Sequence, residues 1–252
     1  MMWFGPRNSV IVPFDYRDRE SFVDFEEQLS AIQQHYKIVK MSQLVDSIKK
    51  RKRQGLATIA LSNPRKGVML QAVSALVSLE LPFIIFLDPD LVGLNRLPLD
   101  EELRTYQKHY PEHFSVSDLK YWLSKVSSEP GKVDDFLKQA RSEIGPLPVD
   151  HLDSLQFFST WGKLIEISPE LVEFGFNLDH QELNPEALER KFKFFNCQLK
   201  GNPRFGRCHE RSLTKAEEAV LLQMGIEAVL TAKESEINRD SDLYHLPIWN
   251  LL

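Results

Sequence analysis

The feature that most constrains the fold is an apolar strand–helix–strand pattern over residues 57–88. Residues 57–61 are apolar and partly β-branched, which is typical of a buried strand. Apolar side chains then recur at helical spacing from Val68 to Leu79, and a second apolar strand begins after Pro82. When a helix joins two neighbouring strands, the strands run parallel to each other, because the connection must cross back over the sheet. The pattern therefore predicts an α/β protein built on a parallel sheet.

A polar break follows the first of these strands, at Ser62 and Asn63. In parallel α/β folds, and above all in barrels, functional residues lie where the strands end. The second strand also ends in a polar segment, formed by Asp88, Pro89 and Asp90. We interpret these aspartates as turn residues, with a role as acid, base or cation ligand as the alternative.

This arrangement resembles the polysaccharide deacetylase family (NodB homology, carbohydrate esterase family 4). In that family the first strand ends in T-F-D-D-G, and the second opens with a turn similar to I-P-A-T-x-F. Counting back without gaps from the Leu-Pro pair at residues 81–82 places residues 61–64, Leu-Ser-Asn-Pro, on F-D-D-G. Ser62 and Asn63 therefore stand where the family has its two aspartates.

The resemblance continues after residue 157. Residues 158–164 and 172–175 are similar to the family segments tW-x-x-L and v-E-I-G, which precede its S-H-T-x-x-H-P metal motif. Asn177 stands where the family has the first histidine of that motif. A one-residue deletion aligns His180 with the second histidine, whereas an ungapped alignment places Gln181 there.

The resemblance implies a distorted (β/α) barrel of the NodB type, an α/β fold similar to a TIM barrel but with fewer strands than a closed eight-fold barrel. We interpret residues 1–252 as a single deacetylase-like domain with a helical insertion at about residues 91–157. The insertion is expected to cover one face of the barrel. Its aromatic residues are assigned to packing, with a sugar-binding platform as the alternative: Tyr106, Tyr110, Tyr121 and Trp122.

The resemblance also implies roles for individual residues. In the family one aspartate is the base, and the other binds a metal ion together with two histidines. By position, Ser62 replaces the base, Asn63 replaces the aspartate ligand, and His180 is the only surviving candidate ligand. Asp15, at the end of the predicted first strand, completes the catalytic candidates. For Asp15 and His180, a structural or solvated side chain is the alternative.

The substrate-binding candidates are Arg65, Asn177, Asp179 and Phe205. Arg65 carries the positive charge that would bind a phosphate or a carboxylate. Phe205 lies in a segment that loosely resembles the family's Y-P-Y-G loop, in which a backbone N–H helps to bind the oxyanion. A tight turn imposed by Pro203 is the alternative explanation of this loop.

These replacements determine the expected function. A deacetylase of this type needs a divalent metal, a carboxylate base and oxyanion donors. Serine is no base at neutral pH, and an amide oxygen is a poor zinc ligand beside carboxylate or imidazole. We therefore expect a non-catalytic, pseudoenzyme-like module that binds a carbohydrate or a protein partner in sugar-polymer metabolism. The alternative is a hydrolase that cleaves carbon–nitrogen (N-acetyl) bonds of a carbohydrate through a rebuilt site.

No cofactor is expected, and weak zinc binding through His180 is the alternative. The formal net charge of −5 gives no electrostatic argument for nucleic-acid binding. No apolar run is long enough to span a bilayer, and two cysteines are too few for a disulfide framework. The first residues lack the features of a signal peptide, so a soluble cytoplasmic protein is expected.

Overall fold

The structure is a computed structural model that describes residues 8–14, 25–52, 55–62, 69–93, 97, 99–126, 128–147, 159–178, 185–208 and 212–248. The chain divides into two compact units. One comprises Met1–Gly93 and Phe158–Leu252, and the other is Leu94–Phe157. The interpretation of the whole chain as a single domain with an insertion stays a prediction.

Strands and helices alternate along the first unit, and the described residues of the second form three helices. In chain order the elements are β1 (Val10–Phe14), α1 (Phe25–His35), β2 (Lys37–Ile38), α2 (Met41–Lys49), β3 (Leu56–Ser62), a π-helical turn (Met69–Val73) continuing into α3 (Ser74–Ser78), β4 (Phe83–Leu87), α4 (Leu99–His109), α5 (Val116–Lys125), α6 (Pro130–Glu143), α7 (Trp161–Ile165), β5 (Val172–Asn177), α8 (Pro185–Leu199), β6 (Phe205–Cys208), α9 (Lys215–Gln223), β7 (Ala228–Glu234), a 3₁₀ turn (Leu243–His245) and β8 (Leu246–Ile248).

The described strands form one parallel sheet that is nearly closed into a barrel. The strand order is β1-β3-β4-β5-β6-β7-β8, and β2 pairs beside the start of β3. The two end strands, β1 and β8, lie next to each other. Paired backbone hydrogen bonds of 2.8 and 2.7 Å between Ser9 and Ile237 also join the two ends of the sheet. The predicted distorted (β/α) barrel is confirmed.

Alternate residues of each strand belong to two separate apolar clusters, as the period of two in a β-strand requires. The outer cluster joins the sheet to α1, α3, α8 and α9. The interior cluster joins side chains from six strands to one face of α2. Its buried members are Ile11, Val39, Met41, Leu44, Val45, Ile48, Ala60, Ile84, Phe86, Phe205, Ala228, Leu230, Ile237, Leu246 and Ile248.

Helix α2 covers the amino-terminal end of the barrel. The backbone N–H of Ser42 donates a 3.0 Å hydrogen bond to the Glu173 carboxylate, near the start of β5. At the other end of the helix, Lys49 donates to Glu227 at 2.6 Å, just before β7. Arg204 donates to the same carboxylate at 2.6 Å. Glu227 therefore ties α2 to the segments that lead into β6 and β7.

The helical unit Leu94–Phe157 has a hydrophobic core of its own. Its buried Glu102 accepts hydrogen bonds from the Arg141 guanidinium, which links α4 to α6. Tyr106 is buried and donates to the Gly145 carbonyl at 3.0 Å, and burial together with the Glu102 charge raises its pKa to about 12. Tyr106 is therefore a packing residue of this unit.

The outer aromatic side chains of this unit also contact one another. Trp122 stacks on Phe136 with ring centroids 4.3 Å apart, and Tyr121 meets Trp122 edge-on at 5.1 Å. Tyr110 donates to the Pro146 carbonyl at 3.0 Å. These contacts favour the packing interpretation, although Tyr121 stays 56% exposed.

The Glu227 ion pairs give the stability a pH dependence. Hydrogen bonding to Arg204, and then to Lys49, lowers the pKa of Glu227 from 4.5 to about 2. Because the folded pKa is the lower one, this contribution is fully present above pH 4.5 and is lost as the pH falls toward 2. We expect Glu227→Gln to lower the free energy of unfolding by about 1 kcal/mol at pH 7. The difference from wild type should shrink below pH 4.5.

Urea unfolding at a series of pH values measures this difference. The exposed Glu170→Gln is the matched control, and we expect it to leave the free energy of unfolding unchanged. A difference between wild type and Glu227→Gln that is constant from pH 7 to pH 3 would contradict the assignment.

Candidate functional site

Two of the residues selected from the sequence lie at the carboxyl ends of nearby strands. Ser62 is the last residue of β3, and Asn177 is the last residue of β5. Strand β4 lies between them, so two strand spacings, roughly 10 Å, separate their strands. Ser62 pairs in register with Phe86, and Phe86 pairs with Gly175, two residues before Asn177. The sheet therefore brings Ser62 and Asn177 to the same end of the barrel.

Charged side chains among the described residues also lie at this end. Arg207 of β6 is the register partner of Asn177, and Asp88 directly follows Leu87, the partner of Phe176. Asp88, Asn177 and Arg207 thus follow one another across three adjacent strands. All are buried together with Ser62, with exposed fractions of 8% for Ser62 and Asp88, 3% for Asn177 and 6% for Arg207. We call Ser62, Asp88, Asn177 and Arg207 the polar mouth.

The Asp88 side chain is part of a turn. Its Oδ1 accepts a 3.0 Å hydrogen bond from the backbone N–H of Asp90, and its carbonyl accepts one of 3.0 Å from Leu91. Asp90 is largely exposed and forms an ion pair with Lys191 of α8. These contacts support the interpretation of residues 88–90 as a turn.

The Ser62 hydroxyl is the unusual group of the polar mouth. Its Oγ is buried and has no hydrogen-bond partner among the residues that the structure describes. A buried polar atom without a partner costs about 1–3 kcal/mol, and native proteins contain few of them. Such an atom is well suited to bind a polar group that enters from outside the chain.

An aromatic side chain lies beneath the polar mouth. The Phe86 ring packs over Gly175, and a Cβ built on Gly175 would lie 2.5 Å from two ring carbons and 3.0 Å from the Phe205 carbonyl oxygen. Only glycine allows the ring to lie there, because real Cβ atoms do not approach so closely. Phe86 is fully buried in the interior cluster, directly beside Ser62 in the sheet. The ring therefore forms the apolar layer below the polar mouth.

Five further site residues were predicted from the sequence. Asp15, Asn63, Arg65, Asp179 and His180 lie outside the described residues.

Phe205 is the first residue of β6, and its side chain is buried in the interior cluster. The Arg204 guanidinium lies 5.4 Å from the centre of its ring. The side chain therefore has a packing role, and the role of its backbone N–H stays a prediction.

Sequence reasoning missed Arg207. Strand β6 has only four residues, Phe205–Cys208, in which two apolar residues and a glycine surround the arginine. The alternation of Phe205 and Arg207 on one face could have indicated a charged side chain inside the barrel.

The described residues do not suit a divalent metal of the zinc type. No group of three or more histidine, cysteine, aspartate or glutamate side chains within the described ranges could hold a metal ion. Ser62 and Asn177 offer neutral oxygens, whereas zinc is bound by imidazole, thiolate and carboxylate.

No known family profile and no curated protein matches the sequence. Solved structures are similar: IcaB from Ammonifex degensii has 13% identity and a TM-score of 0.66, covering 98% of this chain and 93% of that one. The deacetylase domain of BpsB from Bordetella bronchiseptica has 12% identity and a TM-score of 0.60, and the match covers 97% of this chain and 95% of that domain. The Streptococcus pyogenes deacetylase PplD, in complex with acetate, has 10% identity and a TM-score of 0.62, and the match covers 98% of this chain and 93% of that one.

The chain has the polysaccharide deacetylase fold. At 10–13% identity the similarity concerns the fold and leaves the activity to be argued from the site. In this fold the polar mouth lies at the carboxyl ends of β3 to β6. Among the described helices none has both the length and the apolar character of a membrane span.

The Gly175–Phe86 contact can be tested by mutation. We expect Gly175→Ala to lower the free energy of unfolding by about 2 kcal/mol, because the added methyl group overpacks the interior cluster. Gly131→Ala is the matched control, since a Cβ there meets nothing within 4 Å. The double variant Gly175→Ala with Phe86→Leu should recover part of the lost free energy of unfolding, because the ring that the added methyl group meets has been removed. Equal urea-unfolding midpoints for wild type and Gly175→Ala would contradict the packing argument.

Proposed function

We propose that this protein is a non-catalytic carbohydrate-binding member of the polysaccharide deacetylase fold, with its ligand at the polar mouth. The buried Ser62 hydroxyl, which has no hydrogen-bond partner among the described residues, is the observation that carries this proposal. A sugar hydroxyl can donate to or accept from it, which would satisfy the buried oxygen. The site is thereby completed by the ligand.

The neighbours of Ser62 support a binding role. The polar mouth combines hydroxyl, amide, carboxylate and guanidinium groups above the apolar Phe86 layer. A few convergent polar groups over an apolar surface are typical of small-molecule sites. Two of the similar structures are named as deacetylases, which is consistent with a saccharide as the ligand class.

The same serine argues against deacetylation. Ser62 stands where the resemblance places the base, and its hydroxyl has no basic partner among the described residues. A serine without a general base is neither a base nor an activated nucleophile at neutral pH. Asn177 is a neutral amide at the position assigned to a metal-binding histidine. Both replacements remove chemistry while keeping hydrogen-bonding capacity.

A rebuilt active site is the second candidate, favoured by the buried carboxylate of Asp88. Asp88 lies beside Asn177, and a buried carboxylate can act as a general base. In this reading the protein hydrolyses an N-acetyl bond of a carbohydrate. The turn contact to Asp90 restricts the side chain, so we rank this candidate second.

The two candidates differ in metal content and activity. We expect protein purified without chelator to contain well under one equivalent of zinc, and to release no acetate from N-acetylglucosamine oligomers. The triple change Ser62→Asp, Asn63→Asp and Asn177→His should restore metal binding before turnover, because about 1 Å of misplacement can cost about 10²-fold in rate. Stoichiometric metal and chelator-sensitive acetate release in wild type, lost in His180→Ala or Asp88→Asn, would establish the second candidate instead.

Ser62→Ala tests the binding site directly. We expect N-acetylglucosamine or other oligosaccharides to bind this variant about 2- to 12-fold more weakly, the equivalent of one hydrogen bond. The unliganded variant should be as stable as wild type or slightly more stable, because an unsatisfied buried oxygen has been removed. Ser47→Ala is the matched control, since Ser47 is equally buried at 8% exposure but lies in α2.

Calorimetric titration and thermal unfolding measure these effects. Identical saccharide affinity in wild type, Ser62→Ala and Asn177→Ala would remove the polar mouth as the sugar site.

A further inference from the structure

Four consecutive basic residues lie at the end of the barrel opposite the polar mouth. Residues 49–52, Lys-Lys-Arg-Lys, comprise the last residue of α2 and the turn after it. The first two cations have carboxylate partners, Glu227 at 2.6 Å and Asp46 at 3.4 Å. Arg51 and Lys52 are exposed, and neither forms an ion pair with a described residue. We call residues 49–52 the cationic patch.

The backbone that carries these cations is fixed by hydrogen bonds. The Arg51 N–H donates to the Ile48 carbonyl at 2.9 Å, and the Lys52 N–H donates to the Ser47 carbonyl at 3.0 Å. Arg51 has a φ of 48°. This is the Schellman turn that ends many helices, and glycine is the commonest residue at the position of Arg51. The side chain of Arg51 can therefore be removed without loss of the turn.

The acidic groups nearby compensate only part of the charge of the patch. Asp46 offsets one cation, and Glu227 divides its charge between the patch and Arg204. The negative end of the α2 dipole is equivalent to about half a charge. Residues 1–7 and 53–54, which precede β1 and β3 and lie outside the described residues, contain two arginines and no acidic residue. The patch therefore stays positive although the chain has a formal net charge of −5.

An exposed leucine lies near the cationic patch. Leu222 is in the last turn of α9, and its exposed fraction of 64% is the largest among the large apolar side chains of the described residues. The chain turns at Gly225, whose N–H donates to the Leu222 carbonyl at 3.0 Å, and then reaches Glu227, the partner of the patch. Cations beside an exposed apolar side chain suit an anionic membrane surface, because headgroups pair with the cations and the apolar group enters the interface.

We propose that the cationic patch and Leu222 dock this protein on a membrane surface that contains anionic lipids. The polar mouth lies at the other end of the barrel, so it faces away from the membrane and stays open to its ligand. The negative charge on the rest of the chain is repelled by the same lipids, which favours docking through this face. A soluble polyanion would pair with the cations but would leave Leu222 in water. This inference concerns a second surface and does not rest on the proposed function.

Vesicle binding tests the proposal. Wild-type protein is titrated with vesicles of phosphatidylcholine alone and with vesicles that also contain about 30% phosphatidylserine. We expect binding to the anionic vesicles to be about 10-fold tighter or more. The affinity should fall as salt is raised above about 0.1 M, because salt screens the charge interaction. Cosedimentation measures the bound fraction.

The double variant Arg51→Gly with Lys52→Gln removes the two cations that have no ion pair among the described residues. Because glycine is favoured in this turn, we expect the variant to be at least as stable as wild type. Its affinity for the anionic vesicles should fall about 10- to 30-fold. Lys193→Gln with Lys215→Gln is the matched control, since it removes the same charge from α8 and α9. The control should leave the vesicle affinity nearly unchanged.

Leu222→Gln separates a membrane from a soluble polyanion. We expect this variant to bind the anionic vesicles about 3-fold more weakly, because the interface loses an inserted apolar side chain. Its binding to long-chain polyphosphate, which offers negative charge without an apolar phase, should equal that of wild type.

Three results would overturn the inference. The first is equal binding of wild type to both kinds of vesicle, or binding to neither. The second is unchanged affinity of Arg51→Gly with Lys52→Gln for the anionic vesicles, which would place the docking surface elsewhere. The third is tight polyphosphate binding by wild type together with unchanged vesicle binding by Leu222→Gln, which would assign the patch to a soluble polyanion. Each of these results leaves saccharide binding at the polar mouth untouched.

Discussion

Parallel pairing of β3, β4 and β5 is the constraint on which the rest of the molecule depends. It fixes Ser62, Phe86 and Gly175 at one level, and it places Asn177 one side-chain repeat beyond them. Because side chains alternate with a period of two, the same register decides which residues enter the barrel and which meet the helices. A shift by one residue would exchange the interior cluster with the outer one and turn Ser62 and Asn177 away from each other.

The two ends of the barrel use polar groups in different ways. At the amino-terminal end, Glu173 and Glu227 hold α2 through a backbone N–H and two cations, so their charges are satisfied within the protein. At the carboxyl-terminal end, the Ser62 hydroxyl has no partner among the described residues. A fold can retain a buried oxygen without a hydrogen bond when other interactions supply enough free energy of unfolding. Here the two extensive apolar clusters supply it. This contrast supports the proposed binding site at the polar mouth.

The fold could be predicted from the sequence, because its strongest signals are local. The apolar strand–helix–strand pattern required a parallel sheet, and the Leu-Pro pair at residues 81–82 fixed the alignment that led to the deacetylase barrel. The polar mouth could be predicted only in part. Ser62 and Asn177 could be placed at strand ends, whereas Arg207 was missed, because a lone arginine in a strand of four residues is usually exposed.

The sequence by itself determined the element order, the parallel sheet and the neutral character of Ser62 and Asn177, because each depends on residue type and local spacing. Only the tertiary structure decided that Arg207 lies beside Asn177 and that the Ser62 hydroxyl has no hydrogen-bond partner among the described residues. These properties depend on strand register and burial. Both are set by contacts between segments that are far apart in the chain, and such contacts leave no pattern in the local sequence.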